Sequence, residues 1–208
     1  MAHSKKNIIA RSRAMGQSHT INLRSKSKEP EMLKKERGFT LIELLVVIAI
    51  IGFLSALLIP NAITAIQKAK QMKTMRDLVI ISTAIADYVT DNGLAPTQDG
   101  TYDGSTGFYA ALSPFYLKVM PLTDQWGNSF YAYGGSDCDG NYGVTGAGSD
   151  DFLVASYGRD NILEGFSFDT SSPEDGLFSV SDMAHFDYDL VMWNGSWIRG
   201  RRTASAGT

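Results

Sequence analysis

Glu43 is a carboxylate placed where a charge is expensive. It follows Phe39-Thr40-Leu41-Ile42 and leads into Leu44 to Ile59, a run with no other charged side chain. A carboxylate inside a membrane-spanning helix costs about 2.5–3.5 kcal/mol on insertion scales, so it calls for a partner or a purpose. The plainer alternative is that it sits at the interface and reaches for water. Other residue types from which active sites are built are scarce. His3 and His19 lie upstream of the run, His185 stands alone beyond it, and Cys138 is the single cysteine. That leaves no histidine pair in the chain beyond residue 38, no disulfide within the chain and no cysteine-based zinc site. G-x-S-x-G, phosphate-loop and H-E-x-x-H patterns are absent as well, so the chain does not read as an enzyme. Asp137-Cys138-Asp139-Gly140-Asn141 spaces oxygen donors like the opening of an EF-hand. Tyr142 stands at the sixth place and Gly148 at the twelfth, where glycine and glutamate are required, so the plain reading is a solvated acidic loop.

The element that carries Glu43 is a long apolar helix. Phe39 to Ile59 is 21 residues, close to the ~20 that cross a hydrocarbon layer of about 30 Å. A buried core helix of that length would show a polar stripe, and Leu44 to Ile59 has none. The formal charge of −3 over 208 residues conceals opposed parts. Residues 1–38 hold ten Lys/Arg and three Asp/Glu, whereas 39–208 hold nine and nineteen. Basic residues flanking a span stay cytoplasmic, which places the amino terminus inside and the carboxyl-terminal domain outside. The Ser-rich, unpatterned residues 1–38 read as a leader rather than a nucleic-acid-binding arm. An ordinary secretory signal peptide fits less well, because the apolar run exceeds the usual 7–15 residues and the helical pattern continues beyond it.

Past the span, Ile63, Ile66, Met75, Leu78, Ile81 or Ser82, Ile85, Tyr88 and Val89 recur at helical spacing, with Lys68, Lys70, Lys73 and Arg76 on the polar side. Pro60 is expected to kink this helix, or else to open a second one. Asn92-Gly93 ends it. Residues 94–107 read as a loop and Phe108–Leu112 as a short helix. Ser129–Tyr133, Asp151–Ser156 and Tyr188–Trp193 read as strands of a small antiparallel sheet, with Gly134–Asp150 as a loop rich in Gly, Asp and Ser. One face of that sheet needs a cover, and the apolar side of 63–89 is available. The expected fold is α+β, with 1–38 as leader, 39–60 the transmembrane half of the helix, 61–93 its amphipathic half, and 94–208 a globular region.

Gly38-Phe39-Thr40-Leu41-Ile42-Glu43 after a basic segment resembles the processing signal of type IV pilins and type II secretion pseudopilins. Pro121-Leu122-Thr123-Asp124-Gln125-Trp126-Gly127, followed by aromatic residues, resembles the major pseudopilins in particular. The resemblance implies cleavage after Gly38 by a prepilin peptidase, N-methylation of Phe39, and retention of Glu43, which in the family's scheme pairs with the new α-amine during assembly. It implies a homopolymer packed through Phe39–Val89, with Pro60 within the assembly helix. The implied partners are minor pseudopilins and an inner-membrane assembly platform driven by a cytoplasmic ATPase. The subunit would be a single-pass inner-membrane protein with a periplasmic domain, later a periplasmic filament. It also implies calcium in a carboxyl-proximal loop. Ser156-Tyr157-Gly158-Arg159-Asp160 resembles the start of that loop and Asp187-Tyr188-Asp189-Leu190 its close, making Asp160, Asp187 and Asp189 candidate ligands. Two departures stand out: Arg159 lies inside the loop, and Asn161–Phe186 is longer than the pattern. Type IV pilins of surface filaments for adhesion, motility or DNA uptake share Gly38–Glu43 and are the nearest alternative; only such a DNA-uptake pilin would meet nucleic acid. A membrane-anchored periplasmic binding module is the alternative from another class.

Overall fold

Helix α1, Leu41–Asn92, is 52 residues long. The structure, a computed structural model, describes residues 38–202; apart from Gly38, the expected leader lies outside the described residues. The chain divides into two units, Met1–Leu44 and Leu45–Thr208. Pro60 lies inside α1 and does not start a second helix. Its ring removes one backbone donor, and the Thr64 hydroxyl donates to the Pro60 carbonyl at 3.0 Å. At the other end Gly93, at φ 74°, donates its N–H to Val89 O at 2.8 Å. This left-handed stop is the one Asn92-Gly93 predicts.

The rest of the fold is a six-stranded sheet against the distal half of α1. In chain order the elements are β1 (Asp99–Thr101), α2 (Gly107–Leu112), β2 (Tyr131–Gly134), β3 (Phe152–Ser156), β4 (Leu177–Phe178), β5 (Leu190–Trp193) and β6 (Ser196–Arg201). Their spatial order is β1-β2-β3-β5-β6-β4. All pairs are antiparallel except β4–β6, so the sheet is mixed and larger than the three strands expected. The three expected strands form its centre. The short helix also forms, with Thr106 as its N-cap. β5 and β6 are joined by Asn194-Gly195 at φ 47° and 82°, the left-handed pair that a two-residue hairpin requires.

Register explains the packing. Ala132, Val154 and Met192 are aligned across β2, β3 and β5, and all three join Leu78, Ile81 and Ile85 of α1 in one core. Side chains alternate along strands, so the neighbours Tyr133, Leu153 and Val191 point the other way into a second core with Cys138, Tyr142, Val144 and Ile198. Phe166 and Phe168 pack against that second core. Both sheet faces are therefore covered, one by α1 and the other by segments that read as polar loops. All five residues of β3 are buried as a result.

The cover supplied by α1 starts later than its periodicity suggests. Ile63 and Ile66 are 45% and 57% exposed, and the buried face begins at Gln71 and continues through Thr74, Met75, Leu78, Ile81, Ser82 and Ile85. Polar Gln71, Thr74 and Ser82 thus occupy core positions. Thr74 is used: its hydroxyl accepts from the Gln125 N–H at 3.2 Å.

Candidate functional site

Gly38 and Phe39 precede the helix without regular structure, and Thr40 is its N-cap. The Thr40 N–H and hydroxyl donate to Glu43 Oε2 at 2.8 and 2.7 Å. In return the Glu43 N–H donates to the Thr40 hydroxyl at 3.3 Å. This is a capping box, with threonine and glutamate three residues apart satisfying each other's orphan donors. Glu43 therefore has a local structural task that the apolar context alone does not reveal. The second oxygen, Oε1, has no hydrogen-bond partner among the described residues. The peptide link from Gly38 to Phe39 lies immediately outside the capped turn.

From Phe39 to Ile59 the large apolar side chains are 46–81% exposed, and the most apolar 18-residue stretch of α1 is not buried anywhere in the fold. Exposed apolar surface on this scale marks a lipid- or partner-facing element. Farther along, none of Lys68, Lys70, Lys73 and Arg76 makes an ion pair among the described residues.

The Asp124–Asn128 turn ties this helix to the sheet. Asp124 is buried; its Oδ1 accepts from the N–H groups of Trp126 and Asn128, both at 2.9 Å, and its Oδ2 from the Ser156 hydroxyl at 2.9 Å. Gly127, at φ 95°, allows the chain to turn back. The Trp126 indole then donates to Gln67 Oε1 at 2.7 Å and the Gln125 amide to Asp77 Oδ2 at 3.0 Å. Asn128 Nδ2 donates to Gly158 O at 2.8 Å, linking the turn to the 156–160 segment.

Of the three calcium candidates, the structure gives each a different setting. Both Asp187 oxygens accept from Arg159, Nε at 2.7 Å and Nη2 at 2.8 Å. Asp160 is exposed and its Oδ1 accepts from the Ile162 N–H at 3.1 Å. Asp189 is fully buried; its Oδ2 accepts from the Tyr142 hydroxyl at 2.7 Å and the Glu164 N–H at 3.0 Å, while Oδ1 has no partner. Burial pushes the Asp189 carboxyl up to about 6, and the nearby charges of Glu164 and Asp160 act in the same direction. No group of three or more His, Cys, Asp or Glu side chains is placed to share an ion among the described residues. Asp189 Oδ1 is thus a buried oxygen left without a partner, whereas Arg159 already supplies the positive charge at Asp187. In the EF-hand-like stretch, Cys138 is buried, Asp139 Oδ1 caps Ala147 N–H at 2.7 Å and the Asn141 amide donates to Asp137 O at 2.8 Å. These bonds hold the loop together.

Arg199 carries a role that sequence reading did not find. It is 8% exposed, and its Nε and Nη2 donate to Glu164 at 3.0 and 2.5 Å. Its guanidinium lies 4.7–5.2 Å from the ring centres of Phe166, Phe178 and Tyr188, within cation–π range. One arginine thereby clamps the long 161–186 segment to β6. Burial along Ser196–Arg201 does not alternate, Ile198, Arg199 and Gly200 all being buried, so no period in the sequence places Arg199 inside.

Residues 33–59 match the family described as the prokaryotic N-terminal methylation motif. The chain is similar to the type II secretion system core protein G of Vibrio cholerae, 31% identical over 134 residues, covering 57% of this chain and 91% of that protein. It is similar to that of Escherichia coli K12, 36% identical over 126 residues, covering 56% and 83%. For that of Aeromonas hydrophila the figures are 36% over 104 residues, 47% and 72%. No solved structure matches the chain.

Proposed function

This chain belongs to the family of the type II secretion system core protein G, and on that footing we propose how its parts are used. It is a structural subunit of the pseudopilus in type II protein secretion, a membrane-anchored protein that assembles with other secretion components. The observation that carries this role is the pairing of a capped prepilin motif with an apolar half-helix that the fold leaves wholly uncovered.

In the finer scheme, α1 holds the precursor in the inner membrane with residues 1–38 cytoplasmic and the sheet domain periplasmic. Prepilin peptidase cuts between Gly38 and Phe39, and Phe39 is then N-methylated. The cut creates a cation one residue before the capping box. Glu43 keeps its Oε2 on Thr40 and offers Oε1 to an α-amine, its own or a neighbour's, offsetting the cost of a lone charge in the apolar layer. The subunits pack through Phe39–Val89, with Pro60 inside the shared helix, against copies of themselves, minor pseudopilins and the assembly platform. Its role is cohesion and geometry, not catalysis. Mass spectrometry of the membrane-extracted protein tests the processing: the expected amino terminus is Phe39 carrying one methyl group, and an intact Gly38–Phe39 bond refutes it.

A second reading is favoured by the buried, unpartnered Asp189 Oδ1. We propose that Asp189 holds a calcium ion, with Asp187 serving Arg159 and Asp160 closing its own turn. The ion would supply the positive charge that Oδ1 lacks, joining the 157–160 and 187–189 segments. Millimolar calcium is expected to raise the melting temperature of the full chain in detergent, and Asp189→Asn to abolish the rise. No shift in the unmodified chain rejects the site.

A further inference from the structure

Residues Asp160–Glu164 form a small knob held at both ends. The Ile162 N–H is tied to Asp160 Oδ1, Asn161 turns the chain at φ 57°, and the Glu164 N–H is tied to buried Asp189. Glu164 is further clamped by Arg199. Between these anchors Ile162 and Leu163 point away from the fold, 65% and 57% exposed. Two aliphatic side chains on a pinned base are a costly arrangement in water unless something covers them.

A groove of about 470 Å³ lies on the same domain, between α1 and β6. Met72, Val79 and Trp197 line it, and Lys73 and Arg76 stand along it. Met72 and Val79 remain 42% and 41% exposed. Charge complements shape. Residues 159–189 contain eight Asp/Glu and one Arg, Arg159, which is paired with Asp187, whereas residues 61–79 contain four Lys/Arg and one acid, Asp77, which accepts from Gln125. Asp160 makes no ion pair among the described residues, nor do Lys73 and Arg76.

We infer that the Asp160–Glu164 knob of one copy docks in the α1/β6 groove of the next. Ile162 and Leu163 cover Met72, Val79 and Trp197, and Asp160 faces Lys73 and Arg76. Knob and groove are different patches of one chain, so each copy offers a groove to one neighbour and a knob to another. Contacts of that heterologous kind propagate into open helical polymers unless rotation closes a ring. This inference rests on the pseudopilus reading and adds to the apolar helix a contact between globular domains.

The test uses the full chain carrying both Ile162→Cys and Met72→Cys, expressed with a functioning type II assembly machinery and mildly oxidised. Native Cys138 is buried and does not compete. A ladder of disulfide-linked multimers is expected on a non-reducing gel for the double variant and is absent from either single variant. Filaments without a ladder, or cross-links only to other proteins, overturn the docking while leaving the subunit role intact. Absence of filaments from the unmodified chain refutes the subunit role and the docking with it. If the cysteine variant does not assemble, charge decides: Lys73→Glu lowers filament yield several-fold, and so does Asp160→Asn, which keeps an oxygen for the Ile162 N–H while removing the charge. No loss from either variant overturns the inference.

Discussion

Replacing Asp189 by asparagine should stabilise the metal-free protein. Its Oδ2 holds two donors, Tyr142 and the Glu164 N–H, and its Oδ1 holds none. Asparagine can put its oxygen where Oδ2 lies and its amide in place of the unpartnered Oδ1, removing the buried charge, although the amide's two N–H groups then lack acceptors and take back part of the gain. The carboxyl rises from 3.8 to about 6 on folding, about two units, or roughly 3 kcal/mol at 1.36 kcal/mol per unit. A raised carboxyl lets the folded state bind more protons than the unfolded state between about pH 4 and 6. Stability of the unmodified chain therefore falls as pH rises through that window and stays low above it. Asparagine escapes the penalty, so in EDTA at pH 7.5 the variant should be about 1–3 kcal/mol more stable, with the gain fading towards pH 4. Urea denaturation of the full chain in detergent at the two pH values measures it. A variant less stable at pH 7.5, or a gain that does not change with pH, refutes the reasoning. Added calcium should narrow the difference by stabilising only the unmodified chain.

Three further outcomes follow from the packing. Leu78 is fully buried between α1 and the sheet, so Leu78→Ala should cost about 2–5 kcal/mol in urea denaturation. Gly158 sits at φ 68°, and a Cβ there would lie 2.7 Å from Asp187 O and 2.8 Å from Tyr188 O; Gly158→Ala should lower the melting temperature by several degrees, a loss of about 1 kcal/mol or more. Cys138 is buried, which, with the charges of Asp151 and Asp137, pushes its thiol up to about 12. It should resist iodoacetamide at pH 8 in the native chain and react once the chain is unfolded.

The centre of the fold was readable because β2, β3 and β5 carry aromatic and branched residues in short bounded runs, and because α1 repeats its apolar positions. The sheet edges were not. Asp99–Thr101 and Leu177–Phe178 are three and two residues long, too short for any period, and they exist because a neighbouring strand offers them hydrogen bonds. β6 is announced only by Asn194-Gly195 after Leu190–Trp193, a two-residue hairpin signal. The second core escaped because Tyr142, Val144, Phe166 and Phe168 are scattered singly among Gly, Ser and Asp, so only the folded chain collects them. At the site, Glu43 was found by its cost in an apolar run, but its bond to Thr40 is a property of the helix start. Arg159 stands out in the sequence as a base inside an acidic loop; its choice of Asp187 depends on a fold that brings residues 28 apart together.

Glu43→Gln puts the assembly role to the most direct trial. Glutamine can keep the capping box with Thr40 but carries no charge to meet an α-amine, so the variant separates helix capping from ion pairing. Filament yield and secretion would be measured in a strain whose only copy is the variant. The account predicts a subunit that is inserted and cleaved after Gly38 but forms few or no filaments and supports little secretion. Wild-type filament yield and secretion would contradict it.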